Sequence, residues 1–211
     1  MAEREPTIDA GAGPAALRTS PLAHLEERMR AAAVTGARGV ALTERPFTTM
    51  VNLRVDIASE AADRIGKALG APLPGQCGTT TASGPHTVVW LGPDEWLVLS
   101  QADATAVTAE LREALQGAPG SVVDVSANRT TLELGGPSAR QVLEKGCPLD
   151  LHPRAFGPGR AVSTTVGPVP VLLWKVDDAP TYRLLPRSSF SGYLARWLID
   201  AMSEYRGPEV P

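Results

Sequence analysis

Apolar residues recur along this chain at two spacings, and the change from one to the other marks the predicted elements. Leu22, Leu25, Met29 and Ala32 share one side of a 3.6-residue period, which predicts an amphipathic helix. Ser20-Pro21 supplies an N-cap and a first-turn proline, and Gly36 is the expected stop. From Thr48 the period falls to two. Val51, Leu53, Val55 and Ile57 alternate with Met50, Asn52, Arg54 and Asp56, the signature of a half-buried strand. Ser59 then caps a helix carrying Ala62, Ile65 and Leu69. Residues 70–85 are turn-rich and read as a loop. Residues 86–91 and 95–100 read as strands joined by the turn Gly92-Pro93-Asp94. Asp103 opens a helix with Val107, Leu111 and Leu115 on one face, and a strand follows at 121–125.

A looser copy of this order comes next. A strand at 130–134 leads through Gly135-Gly136-Pro137 into a helix with Ala139, Val142 and Leu143. Residues 148–159 form a loop, and strands are predicted at 161–166, 169–176 and 181–185. Ser188 or Ser189 caps a final helix with Tyr193, Leu194, Trp197, Leu198 and Ala201 on its apolar side. The elements predict an α+β fold of two intertwined β-α-β-β-α-β-like halves with mixed or antiparallel sheets. Residues 1–20 read as an irregular arm. Residues 21–211 read as a single domain whose halves span about 46–126 and 127–205.

Composition narrows the function. The chain has 211 residues, 43% hydrophobic and 20% charged, which is ordinary for a globular protein. Its net charge of −3 is too balanced for coating nucleic acid or an anionic membrane. No apolar run approaches the roughly 20 residues of a membrane span, and the first residues lack secretory-signal character, so a cytoplasmic location is expected. Two cysteines, Cys77 and Cys147, make no disulfide framework. Only three basic residues are lysine, a bias that genome composition explains as readily as function does.

Candidate chemistry is sparse. Gly11-Ala12-Gly13-Pro14-Ala15-Ala16 imitates a dinucleotide fingerprint, but no buried strand precedes it. Cys147 lies five residues before His152, which suggests a thiol nucleophile and a base, weighed against a packed cysteine. Asp124, Glu133 and Asp150 are carboxylates near strand ends and loops, where a general base could sit. The histidines His24, His86 and His152 have no metal-ligand spacing. Trp90, Trp96, Trp174 and Trp197 lie in apolar segments, as core residues or as interface anchors. No catalytic, cofactor-binding or metal-ligating residue is assigned from these patterns.

Six segments, 46–56 (PFTTMVNLRVD), 92–99 (GPDEWLVL), 123–134 (VDVSANRTTLEL), 136–151 (GPSARQVLEKGCPLDL), 156–160 (FGPGR) and 187–198 (RSSFSGYLARWL), stand out in order along the chain. Together they resemble the gamma subunit family of heterotetrameric sarcosine oxidase. That family is similar in turn to the folate-binding part of glycine-cleavage aminomethyltransferases. The resemblance implies a non-catalytic subunit giving structural support to a complex that demethylates sarcosine to glycine with oxygen. Hydrogen peroxide is formed, and methylenetetrahydrofolate when tetrahydrofolate is present. It also implies alpha, beta and delta subunits as partners, with alpha in direct contact. FAD, FMN, NAD, tetrahydrofolate and zinc would sit on those subunits and none on this chain. The alternative is a stand-alone folate-binding protein of the aminomethyltransferase and iron–sulfur-maintenance group. That signature begins with Lys145-Gly146-Cys147, but its second part is missing from this sequence.

Overall fold

The computed structural model describes residues 18–207. Its buried apolar side chains fall into three clusters, and the strand period explains why. Along β2 (Thr49–Val55), Val51, Leu53 and Val55 point to one cluster and Met50 points to another. On β5 (Glu95–Ser100), Trp96 and Val98 separate in the same way from Leu97 and Leu99. These strands are covered on both faces, so β2 is more deeply buried than the half-buried strand expected. Fully burying one such leucine or valine stabilises the fold by roughly 1.5–3 kcal/mol.

Two five-stranded sheets, antiparallel throughout, stack face to face. The first holds β3 (Thr80–Ser83), β4 (His86–Gly92), β5, β2 and β6 (Gly120–Asp124), in that order. The second runs β1 (Ala41–Arg45), β7 (Thr131–Gly135), β10 (Thr181–Pro186), β9 (Val169–Lys175) and β8 (Ala161–Val166). Helices α2 (Glu60–Leu69) and α3 (Ala104–Leu115) share a core with the first sheet. Helices α1 (Glu26–Ala32), α4 (Ala139–Glu144) and α5 (Ser188–Met202) share one with the second. Met50, Val89, Leu97, Leu99, Leu172 and Leu185 fill the space between the sheets. The layers therefore run helix, sheet, sheet, helix.

The halves are intertwined, as expected, and the reason is visible in the strand order. β2-α2-β3-β4-β5-α3 and β7-α4-β8-β9-β10-α5 have the same sequence of elements. The sheet orders also correspond, with β6 flanking β2 as β1 flanks β7. The first sheet is completed by the strand that follows its half. The second is completed by β1, which comes before the first half.

Capping chemistry accounts for two helices. The Ala62 N–H donates to Ser59 Oγ at 3.3 Å, and Asp103 Oδ1 accepts from the amides of Thr105 and Ala106. The expected serine caps at the two outer helices are absent. Ser20 Oγ donates to Glu44 Oε2 at 2.6 Å, and a short 3₁₀ turn (Ala23–Leu25) leads into α1, which ends at Ala32. Ser188 Oγ donates to the Ala127 carbonyl at 2.9 Å, and Arg187 occupies the cap position of α5. Both hydroxyls serve tertiary contacts in place of their own helices. Two strands fall outside the expected elements. β1 is short and half polar, and β3, with the sequence TTAS, lies inside the segment read as a loop. Both are edge strands with little apolar signal.

One glycine is dictated by a close approach. Gly136 has φ of +118°, and a Cβ there would stand 2.5 Å from the Gly39 carbonyl oxygen.

Candidate functional site: an arginine-lined cleft between the sheets

Three neighbouring strands place charge on the inner face of the second sheet. Glu133 of β7 lies opposite Thr43 of β1 and Arg183 of β10. Leu132 and Leu134 point the other way, into the core beneath the helices. Glu133 Oε2 accepts from Arg183 Nε at 2.9 Å, and Oε1 accepts from Arg45 Nη2 at 2.8 Å. Burial pushes the Glu133 carboxyl up, but the hydrogen bonds and charges of Arg45 and Arg183 outweigh it and hold it below the usual carboxylate range. The same pairing raises Arg45. Arg183 also lies across from Trp174 of β9 in register, with its guanidinium 4.9 Å from the indole centre.

Arg45, Thr131, Trp174 and Arg183 form one wall of a cleft of about 530 Å³ at one end of the sandwich. The opposite wall is Gly84, Pro85 and Thr87 of the β3–β4 hairpin with Leu99, Ser100 and Gln101 at the end of β5. The β1–β2 turn borders it through Pro46 and Thr48. Within that turn Thr48 Oγ1 donates to the Arg45 carbonyl, and Phe47 takes a φ of +59°. An aromatic residue in the left-handed region costs of order 1 kcal/mol. Phe47 is 51% exposed, with Arg18 stacked over its ring at 4.6 Å. Two buried polar atoms of the cleft residues, Trp174 Nε1 and Thr131 Oγ1, have no hydrogen-bond partner among the described residues.

A second basic position lies beside the cleft. Arg129 donates to the Leu185 carbonyl at 2.8 Å, and burial followed by the nearby Arg187 charge lowers its pKa.

The residues singled out from the sequence are dispersed. Cys147 is buried in the helix-side core of the second sheet. His152 is exposed and its Nδ1 accepts from the Arg154 amide at 3.2 Å. No hydrogen bond joins the two among the described residues. Asp124 Oδ1 accepts from Ser126 N and Oγ, while Ser126 Oγ accepts from the Met50 amide, so this carboxylate holds a turn. Asp150 accepts from the His152 amide in the same manner. Only Glu133 belongs to a built site. There it acts as a counter-ion, because a carboxylate held ionised by two arginines is a poor proton acceptor. The glycine-rich segment at 11–16 lies outside the described residues. Among the described residues no group of three or more His, Cys, Asp or Glu side chains is placed to hold a metal ion.

The tryptophans divide between core and cleft. Trp96 is fully buried with its N–H donating to the Pro74 carbonyl, and Trp174 lines the cleft. The exposed large aromatics are instead Phe47, Phe190 and Tyr193. Tyr193 was expected on the apolar side of the last helix but is 53% exposed. The buried face of α5 is set by Leu194, Ala195, Leu198, Ile199 and Met202. Phe190 and Tyr193, three residues apart, sit together on its outer side.

Comparison with known proteins gives a consistent result. The sarcosine oxidase gamma subunit family matches residues 54–204. A sarcosine oxidase subunit gamma from Corynebacterium sp. (strain U-96) is 46% identical over 195 residues, covering 92% of this chain and 94% of that one. A counterpart from Arthrobacter sp. matches equally well, at 46% over 195 residues. A chain of the heterotetrameric sarcosine oxidase from Corynebacterium sp. U-96, solved in complex with pyrrole 2-carboxylate, superposes with a TM-score of 0.88 at 45% identity. It covers 92% of this chain and 100% of that chain. The glycine cleavage system aminomethyltransferase T from Bartonella henselae shares the fold at 16% identity, with a TM-score of 0.64, over 90% of this chain and 62% of that one. A fold of two stacked antiparallel sheets, together with this identity along almost the whole chain, places the chain in the sarcosine oxidase gamma subunit family.

Proposed function

We propose that the chain is a non-catalytic subunit of a heterotetrameric sarcosine oxidase, contributing shape and a docking surface to larger flavoprotein subunits. The observation that carries this reading is the match, at 45% identity, to the full length of a chain from a heterotetrameric sarcosine oxidase. In the proposed reaction two electrons and two protons pass from the N-methyl amine of sarcosine to oxygen, giving hydrogen peroxide. Water then releases glycine and formaldehyde. When tetrahydrofolate is present, it takes up the methylene group. On this reading FAD, FMN, NAD, the folate site and zinc are carried by the alpha, beta and delta subunits, with alpha in direct contact with this chain.

The internal arrangement supports a supporting role. The buried Cys147 thiol, the backbone-bonded ring of His152 and the doubly paired Glu133 are each engaged in holding structure. Phe190 and Tyr193 offer an aromatic pair on the outer face of α5, the kind of anchor that a subunit interface buries. Permanent interfaces often exceed about 2,000 Å² and are apolar. Among the described residues no helix is long and apolar enough to cross a membrane.

The test is co-expression of the tagged chain with the three other subunits. A yellow four-chain particle is expected to co-purify. A chain that is fully soluble alone and captures none of the larger subunits would overturn the proposal.

A further inference from the structure

We propose that the cleft between the two sheets binds a small organic carboxylate. Its chemistry is one-sided. Arg45 and Arg183 bring two guanidinium groups, and the one carboxylate bonded to them, Glu133, already spends one oxygen on each. The cluster therefore keeps a net positive charge and spare N–H donors. Trp174, only 6% exposed, lines the same cleft, with the Arg183 guanidinium 4.9 Å from its indole centre.

The shape of the cleft favours a carboxylate on an organic frame. A planar carboxylate matches the guanidinium fork, which takes it with two parallel hydrogen bonds. The Trp174 ring and Leu99 line the same cleft and provide apolar surface for the rest of the molecule. A volume of about 530 Å³ suits a compound of small-metabolite size. The site does not depend on the proposed role in the oxidase, and its test is separable from assembly.

The probe is benzoate, with benzyl alcohol as the neutral control and inorganic phosphate as the tetrahedral anion. The full chain, labelled with ¹⁵N in its tryptophans, is titrated while the indole N–H resonances are followed. Trp174→Phe assigns the signal. The Trp174 resonance is expected to move saturably with benzoate and to stay in place with benzyl alcohol. Arg183→Gln is expected to weaken binding at least about tenfold, as loss of a charge-assisted pair does. No movement, equal movement with benzyl alcohol, tighter binding of phosphate, or an unchanged affinity in Arg183→Gln would each overturn the proposal. In a second measurement, crystals of the assembled complex are soaked with 4-bromobenzoate, and the bromine is located by its anomalous signal. Bromine inside the cleft, against Leu99 and on the side of the ring away from the arginines, is expected. A partner's acidic side chain paired with Arg45 and Arg183 would overturn the assignment to a diffusible ligand.

Discussion

Glu133 answers to two arginines at once, and this sets how the molecule responds to acid. Its folded pKa lies below the ordinary carboxylate value of about 4.3. A group depressed on folding contributes stability that is fully present above its unfolded pKa. That contribution is lost as pH falls through the folded value. Denaturant unfolding between pH 7 and pH 3 should show wild-type stability falling below about pH 4.3, with a shallower fall in Glu133→Gln. At pH 7 the variant should be less stable by roughly 1–3 kcal/mol, because two guanidinium groups lose their shared acceptor. Packing sets a second limit at the scale of one residue. A Cβ on Gly146 would stand 2.6 Å from the Trp197 ring and 2.9 Å from the Gly167 amide nitrogen. Gly146→Ala should therefore cost about 1–3 kcal/mol in a thermal melt, and less when Trp197 is replaced by leucine. This glycine stands in Lys145-Gly146-Cys147, the stretch that matches the start of the iron–sulfur-maintenance signature. The structure gives it a packing reason instead.

Helices and strands differ in how well they could be read from the chain. Helices α2 and α3 were legible because Ser59 and Asp103 cap them directly. The starts of α1 and α5 were misplaced because Ser20 and Ser188 bond to distant partners, 24 and 61 residues away. Strands β1 and β3 escaped the period analysis because each is an edge strand with few apolar residues. The cleft escaped it for a related reason. Arg45 and Glu133 are 88 residues apart and Glu133 and Arg183 are 50 apart, so only strand register brings them together. The outer face of α5 is where an element-level prediction belongs. Phe190→Ser combined with Tyr193→Ser should leave the melting temperature of the chain nearly unchanged, since exposed side chains contribute little. The double variant should capture less of the larger subunits in a pull-down, by tenfold or more if the pair is a docking anchor. Undiminished capture would remove α5 from the interface.

At the scale of the molecule, one supersecondary order is used twice, and β1, from before the first half, completes the second sheet. β1 must wait for β7, 86 residues later at the Arg45–Thr131 end of the register, before the second sheet can close.

 That interval, from position 45 to position 131, holds the whole first sheet, so the second sheet closes only across the first half. Long-range pairing of this kind favours slow folding and a unit that unfolds as a whole. Element order was readable because the apolar periods repeat, and the resemblance in six segments was readable because they keep their order along the chain. What the segments could not show was that the same order also closes both sheets in the same way. The fold is shared with an aminomethyltransferase at 16% identity, so architecture by itself assigns no chemistry here.

On the proposed reading this chain supports an oxidase whose redox steps take place on its neighbours. Sarcosine-dependent hydrogen peroxide formation, measured side by side for the assembled four-chain particle and for the purified chain alone, tests it most directly. The account predicts turnover by the particle and none by the chain, with no flavin absorbance in the chain's spectrum. Peroxide formation or a retained flavin in the chain by itself would contradict it.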